Sequence, residues 1–577
     1  MGTFMILLSL QPLSLIFLLI LFSITLAEFR RSRKISGAGP ASYPIIGCLI
    51  SFYKNKQRLL DWYTELLAQS PTNTIVVQRF GARRTIVTAN PQNVEYMLKT
   101  NFNNFPKGKP FTDILGDFLG QGIFNSDGEL WLAQRKLASH EFSIRSLREF
   151  VMHALEREVC ERLLPLLEEL SNENKVVDLQ ELLGRFSFNV ICKFTLGTDR
   201  CCLDPSAPGS SLARAFDVAA EVSAKRGAAP LFMIWRVKRW LGAGSERLLR
   251  EAVGEVQSYV MKMIHERKQK GEESGVEDLL SRLINAGHEE EVIRDMVISF
   301  IMAGRDTTSA AMTWFFWVLS HYSHVEEQVV EEAKRVLDYE SLKSLSFLKA
   351  CLCESMRLYP PVAWDSKHAI GDDLLPDGTV VKAGDRVTYF PYGMGRMEAL
   401  WGKDWFEFRP NRWFVEPGNG EGIMLSEVSP FMFPVFQAGP RVCLGKEMAF
   451  IQMKYVVASI LSLFKFTIVS PEKPIFVPLL TAHMAGGKLK LPNISFCTIR
   501  KIIGRTISQE TTALELWPLL ASSESKMSFT CTQIANLERK EVPSHRTGPL
   551  SQFPNPVSQQ VLGSECIYRK HNKTLNQ

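Results

Sequence analysis

Residues 436–445 decide the fold, and they read FQAGPRVCLG. Five positions match the pattern Phe-x-x-Gly-x-Arg-x-Cys-x-Gly, and each fixed position is matched by chance in only about 1 of 20 residues. A helical run at 446–450 follows at once, so Cys443 lies just before the N-terminus of a helix. There the helix dipole and the free backbone N–H groups favour a thiolate over a thiol. The segment therefore predicts a cysteine thiolate that ligates a metal ion.

Haem iron suits this thiolate, because a thiolate ligand donates electron density that favours cleavage of the O–O bond. Gly439 and Gly445 would let the backbone approach the porphyrin where a Cβ atom would collide. Phe436 would shield the sulfur, and Arg441 could pair with a haem propionate. A buried cysteine at the start of a helix is the plainer alternative. The five matched positions together favour the haem ligand.

A second segment, residues 291–320, is long and largely apolar and predicts one helix. Its middle carries a polar interruption, AGRDTT at residues 303–308. A glycine followed by hydroxyl residues lets a helix open locally, and such openings often mark functional sites. An ordinary solvated helix face is the alternative, which the apolar flanks on all sides disfavour.

On these two segments the chain resembles the cytochrome P450 superfamily. The resemblance implies a mainly α fold with a small β-rich part. It also implies bound haem b (iron protoporphyrin IX), with Cys443 as the axial ligand of the iron. The implied activity is that of a monooxygenase that uses O2. In such an enzyme Thr307 would hydrogen-bond dioxygen and Asp306 would help to relay protons.

The buried ion-pair triad of this family is also present in the sequence. Glu354 and Arg357 match the family's Glu-x-x-Arg, and the spacing of three places both charges on one helix face. Arg412 matches the third member, although Asn411 stands where the family usually has Glu. The resemblance implies a structural role for the triad, which would hold the cysteine loop.

Residues that would hold the haem propionates lie on both sides of the long helix in the sequence. Trp131 and Arg135 match the family's Trp-x-x-x-Arg, whose two side chains bind a propionate and share a helix face. Taken alone, this pair is an ordinary cation–aromatic contact. His368 lies where many relatives carry a propionate-binding arginine.

Several stretches narrow the resemblance to the plant fatty-acid ω-hydroxylases and the related enzymes that oxidise jasmonoyl-isoleucine. These stretches are residues 111–120, 364–368, 377–379 and 392–397. The resemblance implies hydroxylation at or near the methyl end of a fatty acid or a fatty-acid-derived conjugate. NADPH–cytochrome P450 reductase would deliver the electrons from NADPH. An apolar tunnel would bind such a chain, lined by residues from the regions 111–124, 300–308, 362–366 and 479–482.

The N-terminus predicts a single-pass membrane anchor at residues 1–29. No charge occurs in the first 27 residues, and the run reaches the ~20 apolar residues that span a bilayer. Four basic residues at 30–34 place the catalytic part on the cytosolic side of the endoplasmic reticulum membrane. A cleaved signal peptide ending at Ala27 is the alternative, disfavoured because no positive charge precedes the apolar run. Residues 30–50, basic and interrupted by Gly and Pro, would form a hinge.

Composition divides the remainder of the chain. Residues 51–497 are assigned to the haem domain. From 498 to 577 Ser, Thr, Gln and Asn rise and apolar periodicity fades, which predicts a disordered tail. Lys and Arg (67) barely exceed Asp and Glu (61), and no long basic run with interleaved aromatics occurs. Nucleic acid is therefore not expected as a partner.

Three other classes of function compete with the monooxygenase. One is a cytochrome P450 that rearranges fatty-acid hydroperoxides without a reductase, which Asp306 and Thr307 argue against because that chemistry needs no proton relay. Another is an inactive haem-binding relative, disabled by its unusual C-terminus. The last is a single-span receptor or interaction protein, which would bind no haem.

Overall fold

The computed structural model describes residues 39–43, 45–139, 154–173, 175–198, 211–228, 233–270, 279–334, 339–416, 424–468, 473–485 and 496–501, with single residues at 23, 142 and 203. The chain divides into two compact units, Met1–Lys526 and Met527–Gln577, and every described residue belongs to the first. Apart from Ser23, the predicted anchor lies outside the described residues, as does the tail after Lys501. No helix in the described ranges is both long enough and apolar enough to cross a bilayer.

The described α-helices, in chain order, are α1 Leu49–Lys54, α2 Leu59–Gln69, α3 Pro91–Glu95, α4 Lys109–Leu119, α5 Gly128–Ser139, α6 Glu156–Glu158, α7 Leu164–Asn172, α8 Leu179–Leu196, α9 Ser211–Ala228, α10 Met233–Leu241, α11 Ser245–Lys270, α12 Leu279–Asn285, α13 Glu290–Leu319, α14 Ser323–Ala333, α15 Tyr339–Ser344, α16 Ser346–Leu358, α17 Pro391–Met394, α18 Glu398–Trp401 and α19 Lys446–Leu463. Since α1 starts at Leu49, the predicted hinge ends a little before residue 50.

The described strands are β1 Thr74–Val77, β2 Thr85–Thr88, β3 Val176–Asp178, β4 Asp365–His368, β5 Asp373–Leu374, β6 Val380–Val381, β7 Arg386–Tyr389, β8 Phe414–Val415, β9 Met424–Leu425, β10 Phe464–Ile468, β11 Ile475–Pro478, β12 Ala482–Ala485 and β13 Phe496–Lys501. The largest sheet has the order β1-β2-β7-β4, in which β2 and β7 are parallel and the other pairs antiparallel. The fold is thus mainly helical with small sheets, as predicted.

Helix α13 forms the centre of the larger apolar core. Most of its 30 residues are buried, and it packs against α8, α11 and α16. Gly304 permits the close approach of α8, because a Cβ atom there would lie 2.5 Å from Cδ1 of Ile191. The predicted local opening of this helix is wrong, since the residues from Glu290 to Leu319 are α-helical throughout. The glycine serves helix packing instead.

Strand β13 changes the predicted end of the folded part. It pairs antiparallel with β10, from Phe464 opposite Lys501 to Ile468 opposite Cys497, and with β3 on its other side. Residues 498–501, which composition assigns to the tail, therefore belong to a three-stranded sheet. Their backbone groups find ladder partners even though the side-chain pattern carries no clear strand signal.

Candidate haem-thiolate site

The cysteine loop is shaped by two short 3₁₀ turns, Pro434–Phe436 and Gly439–Arg441. The backbone N–H of Cys443 donates to the carbonyl of Phe436 at 2.8 Å, which closes the loop. Helix α19 begins three residues after the cysteine, at Lys446. The loop therefore holds Cys443 just before the helix, where the sequence predicts it.

Among the described free cysteines, Cys443 is the exposed one. Cys48, Cys192, Cys351 and Cys353 are buried. Burial nevertheless raises the pKa of the Cys443 thiol, while a backbone hydrogen bond from Gly445 and the charges of Arg135 and Lys446 oppose the rise. Cys443 is therefore exposed as a residue, while neighbouring protein desolvates its thiol.

Two arginines near this sulfur keep hydrogen-bonding capacity unused. Arg135, on α5, is close enough to influence the Cys443 thiol, and among the described residues it makes no hydrogen bond or ion pair. Arg441 donates to Asp127 at 2.6 Å and lies over the ring of Trp131 at 4.4 Å, yet its Nε is buried without a partner. Burial lowers the pKa of both guanidinium groups. An anion placed here would therefore be stabilised by charge-assisted hydrogen bonds.

Helix α13 presents the predicted proton-relay residues. The hydroxyl of Thr307 donates to the carbonyl of Ala303 at 2.6 Å. Burial raises the pKa of Asp306 to about 6; the charge of Arg305 opposes this rise and that of Asp217 adds to it. Asp306 is thus a carboxyl group that changes its protonation near neutral pH.

Phe142 connects this helix with the cysteine loop. Its ring centroid lies 6.1 Å from that of Phe300 on α13, and a Cβ atom on Gly445 would lie 3.6 Å from its Cε1. Asp306 follows Phe300 by fewer than two turns of the same helix. The loop and the polar segment therefore border the same region.

The structure brings the three members of the predicted ion-pair triad together. Arg357 donates to both carboxylate oxygens of Glu354 at 2.8 Å, and Nε of Arg412 donates to Glu354 at 2.9 Å. The side chains of Glu354 and Arg357 are 0% exposed. Asn411, the departure from the family pattern, is exposed on the adjacent 3₁₀ turn, so it leaves these contacts undisturbed.

The triad reaches the cysteine loop through aromatic rings. Nε1 of Trp413 donates to Glu354 at 2.9 Å, and the Trp413 ring lies 4.9 Å from that of Phe433. Phe433 directly precedes the first turn of the loop. The arrangement fits a structural role, since these side chains contact the loop and not the sulfur.

The family model of cytochrome P450 matches residues 38–490, a range that contains every residue of this site. The chain belongs to the cytochrome P450 family. It is similar to cytochrome P450 94B1 of Arabidopsis thaliana, 59% identical over 477 residues that cover 81% of this chain and 94% of that protein. Cytochrome P450 94B3 of the same plant is 57% identical over 491 residues, 82% of this chain and 97% of that protein. Cytochrome P450 94A1 of Vicia sativa is 47% identical over 461 residues, 78% and 89% of the two chains.

This cytochrome P450 is accordingly a monooxygenase that uses haem b, and the residues present fit that group. Cys443 is exposed, so its sulfur could reach the iron. The unpaired guanidinium of Arg135 and the buried, unpartnered Nε of Arg441 suit the two propionate carboxylates. The guanidinium of Arg441 lies over the ring of Trp131, a flat apolar surface that is 7% exposed.

His368 is less well suited to a propionate than the arginine of many relatives. Its Nδ1 lies 2.6 Å from the carbonyl of Lys107, to which it donates. Burial lowers the pKa of His368 to about 4, so the ring is neutral at pH 7. A neutral ring that donates through Nδ1 has a lone pair on Nε2, which cannot donate to a carboxylate. The propionate contact of this residue stays a prediction.

The loop glycines differ in their surroundings. Gly439 has φ 63°, and a Cβ atom there would overlap the backbone carbonyl of Leu98. The neighbouring backbone therefore requires this glycine. A Cβ atom on Gly445 would lie 4.0 Å from the sulfur of Cys443. The approach of both glycines to the porphyrin stays a prediction. Phe436, half-buried, packs against Phe450 at 5.2 Å.

The structure contains a buried charge cluster behind the cysteine loop that the sequence did not predict as part of the site. Asp365 accepts hydrogen bonds from Lys107 and Lys367, each at 2.9 Å, from Tyr389 at 3.1 Å and from Gln437 of the loop. Burial alone would raise the pKa of Asp365, but the two lysines hold it well below its usual value. Burial lowers the pKa of Lys367 to about 7. The polar strand Asp365–His368 reads as an exposed edge, so only the tertiary fold identifies it as buried support for the loop.

Proposed function

We propose that this cytochrome P450 hydroxylates a fatty acid, or a conjugate derived from one, at or near its methyl end. It uses O2 and electrons from NADPH that NADPH–cytochrome P450 reductase delivers. The observation that carries the proposal is the exposed Cys443, whose desolvated thiol lies near the positive charges of Arg135 and Lys446. Phe142 joins this sulfur to the helix of Asp306 and Thr307.

The chain's own residues have separate parts in this reaction. Haem, when bound, supplies the centre at which O2 is activated. Cys443 would ligate its iron, while Arg135 and Arg441 would hold the propionates. Burial raises the pKa of Asp306 to about 6, which is close to neutral pH. Asp306 can therefore take up and release a proton near neutrality. The hydroxyl of Thr307 donates its proton in a hydrogen bond to the carbonyl of Ala303, one helical turn earlier. The hydroxyl oxygen of Thr307 can therefore accept another hydrogen bond.

Apolar side chains pack beside part of the region that is predicted to line the tunnel. Phe118 of α4 is fully buried and packs edge-on against Phe216 of α9, with ring centroids 5.7 Å apart. Phe188 of α8 packs against the same ring at 6.0 Å. Burial of an alkyl chain contributes about 0.8 kcal/mol for each CH2 group. Chain length therefore supplies most of the affinity, and a polar head group needs only to be oriented.

The similarity to the cytochrome P450 94 proteins supports the same substrate class. Residues 111–120 and 364–368, which carry the resemblance to the plant ω-hydroxylase group, lie in α4 and around strand β4. We further propose that residues 1–29 anchor the enzyme in the endoplasmic reticulum membrane, with the catalytic part in the cytosol. The absence of charge from the first 27 residues and the basic residues that follow support this.

The decisive test is turnover of a panel of fatty acids and jasmonoyl-isoleucine by the full-length haem-loaded enzyme with NADPH and the reductase. Hydroxylation at or near the methyl end supports the proposal. Conversion of fatty-acid hydroperoxides without NADPH would identify the rearranging class of cytochrome P450 instead. A thiolate-type spectrum with no turnover of any panel member would refute the proposed substrate class.

A further inference from the structure

Arg305, which directly precedes Asp306, ties helix α13 to helix α9. One guanidinium nitrogen lies 2.6 Å from Oδ1 of Asp217, and another donates to the carbonyl of Ala213 at 3.3 Å. The side chain of Arg305 is only 9% exposed, whereas that of Asp217 is 60% exposed. The buried arginine of one helix is therefore neutralised by a carboxylate that projects from the other.

The same arginine lies within reach of a second carboxylate. Nε of Arg305 is buried and has no hydrogen-bond partner, and it is 3.5 Å from Oδ1 of Asp306. A displacement of a few tenths of an ångström would bring the two atoms to hydrogen-bond distance. Arg305 thus pairs with both carboxylates, through a hydrogen bond to Asp217 and through charge without a hydrogen bond to Asp306.

We propose that Asp217 is a positioning residue for proton transfer, because it shares Arg305 with Asp306 and so leaves Asp306 able to carry a proton. The proposal rests on the relay role of Asp306 in the proposed function. The reaction takes O2, two electrons and two protons, places one oxygen atom in the substrate and releases the other as water. When the protons are delivered incorrectly, the same two electrons and two protons reduce O2 to hydrogen peroxide, and the substrate is not hydroxylated.

The charges around Asp306 determine in which direction its pKa changes when Asp217 is replaced. Burial raises the pKa of Asp306, Arg305 lowers it, and Asp217 raises it. Replacing Asp217 by Asn removes one raising charge and releases the guanidinium toward Asp306, so the pKa of Asp306 falls. The protonated form is lost as pH rises through this pKa, and in the variant that loss occurs at lower pH.

The other titratable groups near this pair lie on three elements. Cys192 of α8 interacts with Arg305, and His483 of β12 interacts with both Asp217 and Glu221 of α9. Burial lowers the pKa of His483, so it is uncharged at pH 7 and adds no competing cation. Glu221 lies one helical turn from Asp217 and has no interaction with Asp306 among the described residues, which makes it a matched control.

The test uses haem-loaded, full-length enzyme and the variants Asp217→Asn, Asp217→Glu and Glu221→Gln. Difference infrared spectroscopy against Asp306→Asn follows the protonated carboxyl group of Asp306 as a function of pH. Product and hydrogen peroxide per NADPH are measured over the same range. We expect the Asp306 midpoint in Asp217→Asn to fall by about one pH unit, the size of shift that a nearby opposite charge produces. Asp217→Glu and Glu221→Gln should keep the midpoint of the parent enzyme.

The possible outcomes distinguish the positioning role of Asp217 from the proton-relay role of Asp306. An unshifted midpoint in Asp217→Asn, with only substrate affinity weakened, overturns the proposal and leaves Asp217 a structural residue. A shifted midpoint with unchanged product per NADPH supports the control of Asp306 by Asp217 and refutes the relay. The ferrous–carbon monoxide spectrum verifies that each variant is folded with a thiolate ligand. If Asp217→Asn fails to fold, the same shift is expected in Asp217→Ser, and its absence there overturns the proposal.

Discussion

Replacing Glu354 by glutamine removes the charge at the centre of the buried triad. Arg357, whose side chain is 0% exposed, then keeps a positive charge without its counter-ion. Removing one partner of a buried ion pair costs about 3–5 kcal/mol, out of a total stability of about 5–15 kcal/mol. Arg412→Gln should cost less, because Glu354 keeps Arg357 and the side chain of Arg412 is 10% exposed. The main expectation is therefore that Glu354→Gln lowers the free energy of unfolding more than Arg412→Gln does.

The free energy of unfolding is measured by denaturant titration of the haem-loaded protein, followed by backbone circular dichroism and by haem absorbance. Glu407→Gln is the control, because that side chain is exposed nearby and its change should stay within about 0.5 kcal/mol. An equal or larger loss in Arg412→Gln would refute the reasoning. So would a loss in Glu354→Gln below about 1 kcal/mol, the net contribution of an ordinary hydrogen bond.

Four further outcomes are expected. Cys443→Ala should abolish the thiolate-type ferrous–carbon monoxide spectrum, whereas Cys48→Ala, which removes a buried thiol elsewhere, should keep it. Thr307→Ala should keep that spectrum and release more hydrogen peroxide per NADPH; Thr313→Ala, whose hydroxyl makes a similar bond of 2.8 Å, should not. Gly439→Ala should lower stability by about 1–3 kcal/mol, because φ of 63° strains a residue with a Cβ atom. Deletion of the N-terminal anchor should move the protein from the membrane fraction to the supernatant, measured by immunoblotting.

Contrary results would be informative in each case. A thiolate spectrum in Cys443→Ala would mean that another group ligates the iron. Full coupling in Thr307→Ala would argue against its part in proton transfer. Unchanged thermal stability in Gly439→Ala would mean that the carbonyl of Leu98 can move aside. A truncated chain that stays on the membrane would place the binding surface in the catalytic unit.

Local patterns predicted the parts of the site that depend on local geometry. The position of Cys443 before α19 follows from the glycine-bounded turn and the apolar run after it. The triad partners Glu354 and Arg357 share a face because helical periodicity requires it. Helix α16 ends at Leu358, because the consecutive prolines Pro360 and Pro361 cannot continue it.

Features that depend on distant neighbours could not be predicted in this way. The carbonyl that requires Gly439 to be glycine belongs to Leu98, far away in the chain. The polarity of Asp365 and Lys367 suggests an exposed strand, and their burial becomes favourable only through contacts with Lys107 and the loop. Asp217 carries no sequence signal of its own, since its partner Arg305 is 88 residues away.

The arginines near Cys443 have a consequence for how much of this enzyme a cell can maintain. Without the cofactor, Arg135 keeps a charge without an ion-pair partner among the described residues, and Nε of Arg441 is buried without a hydrogen-bond partner. A ligand that binds only the folded chain stabilises it in proportion to the logarithm of its free concentration. Porphyrin supply would therefore regulate the lifetime of the polypeptide, and chains made in excess of it would be preferred targets of proteolysis.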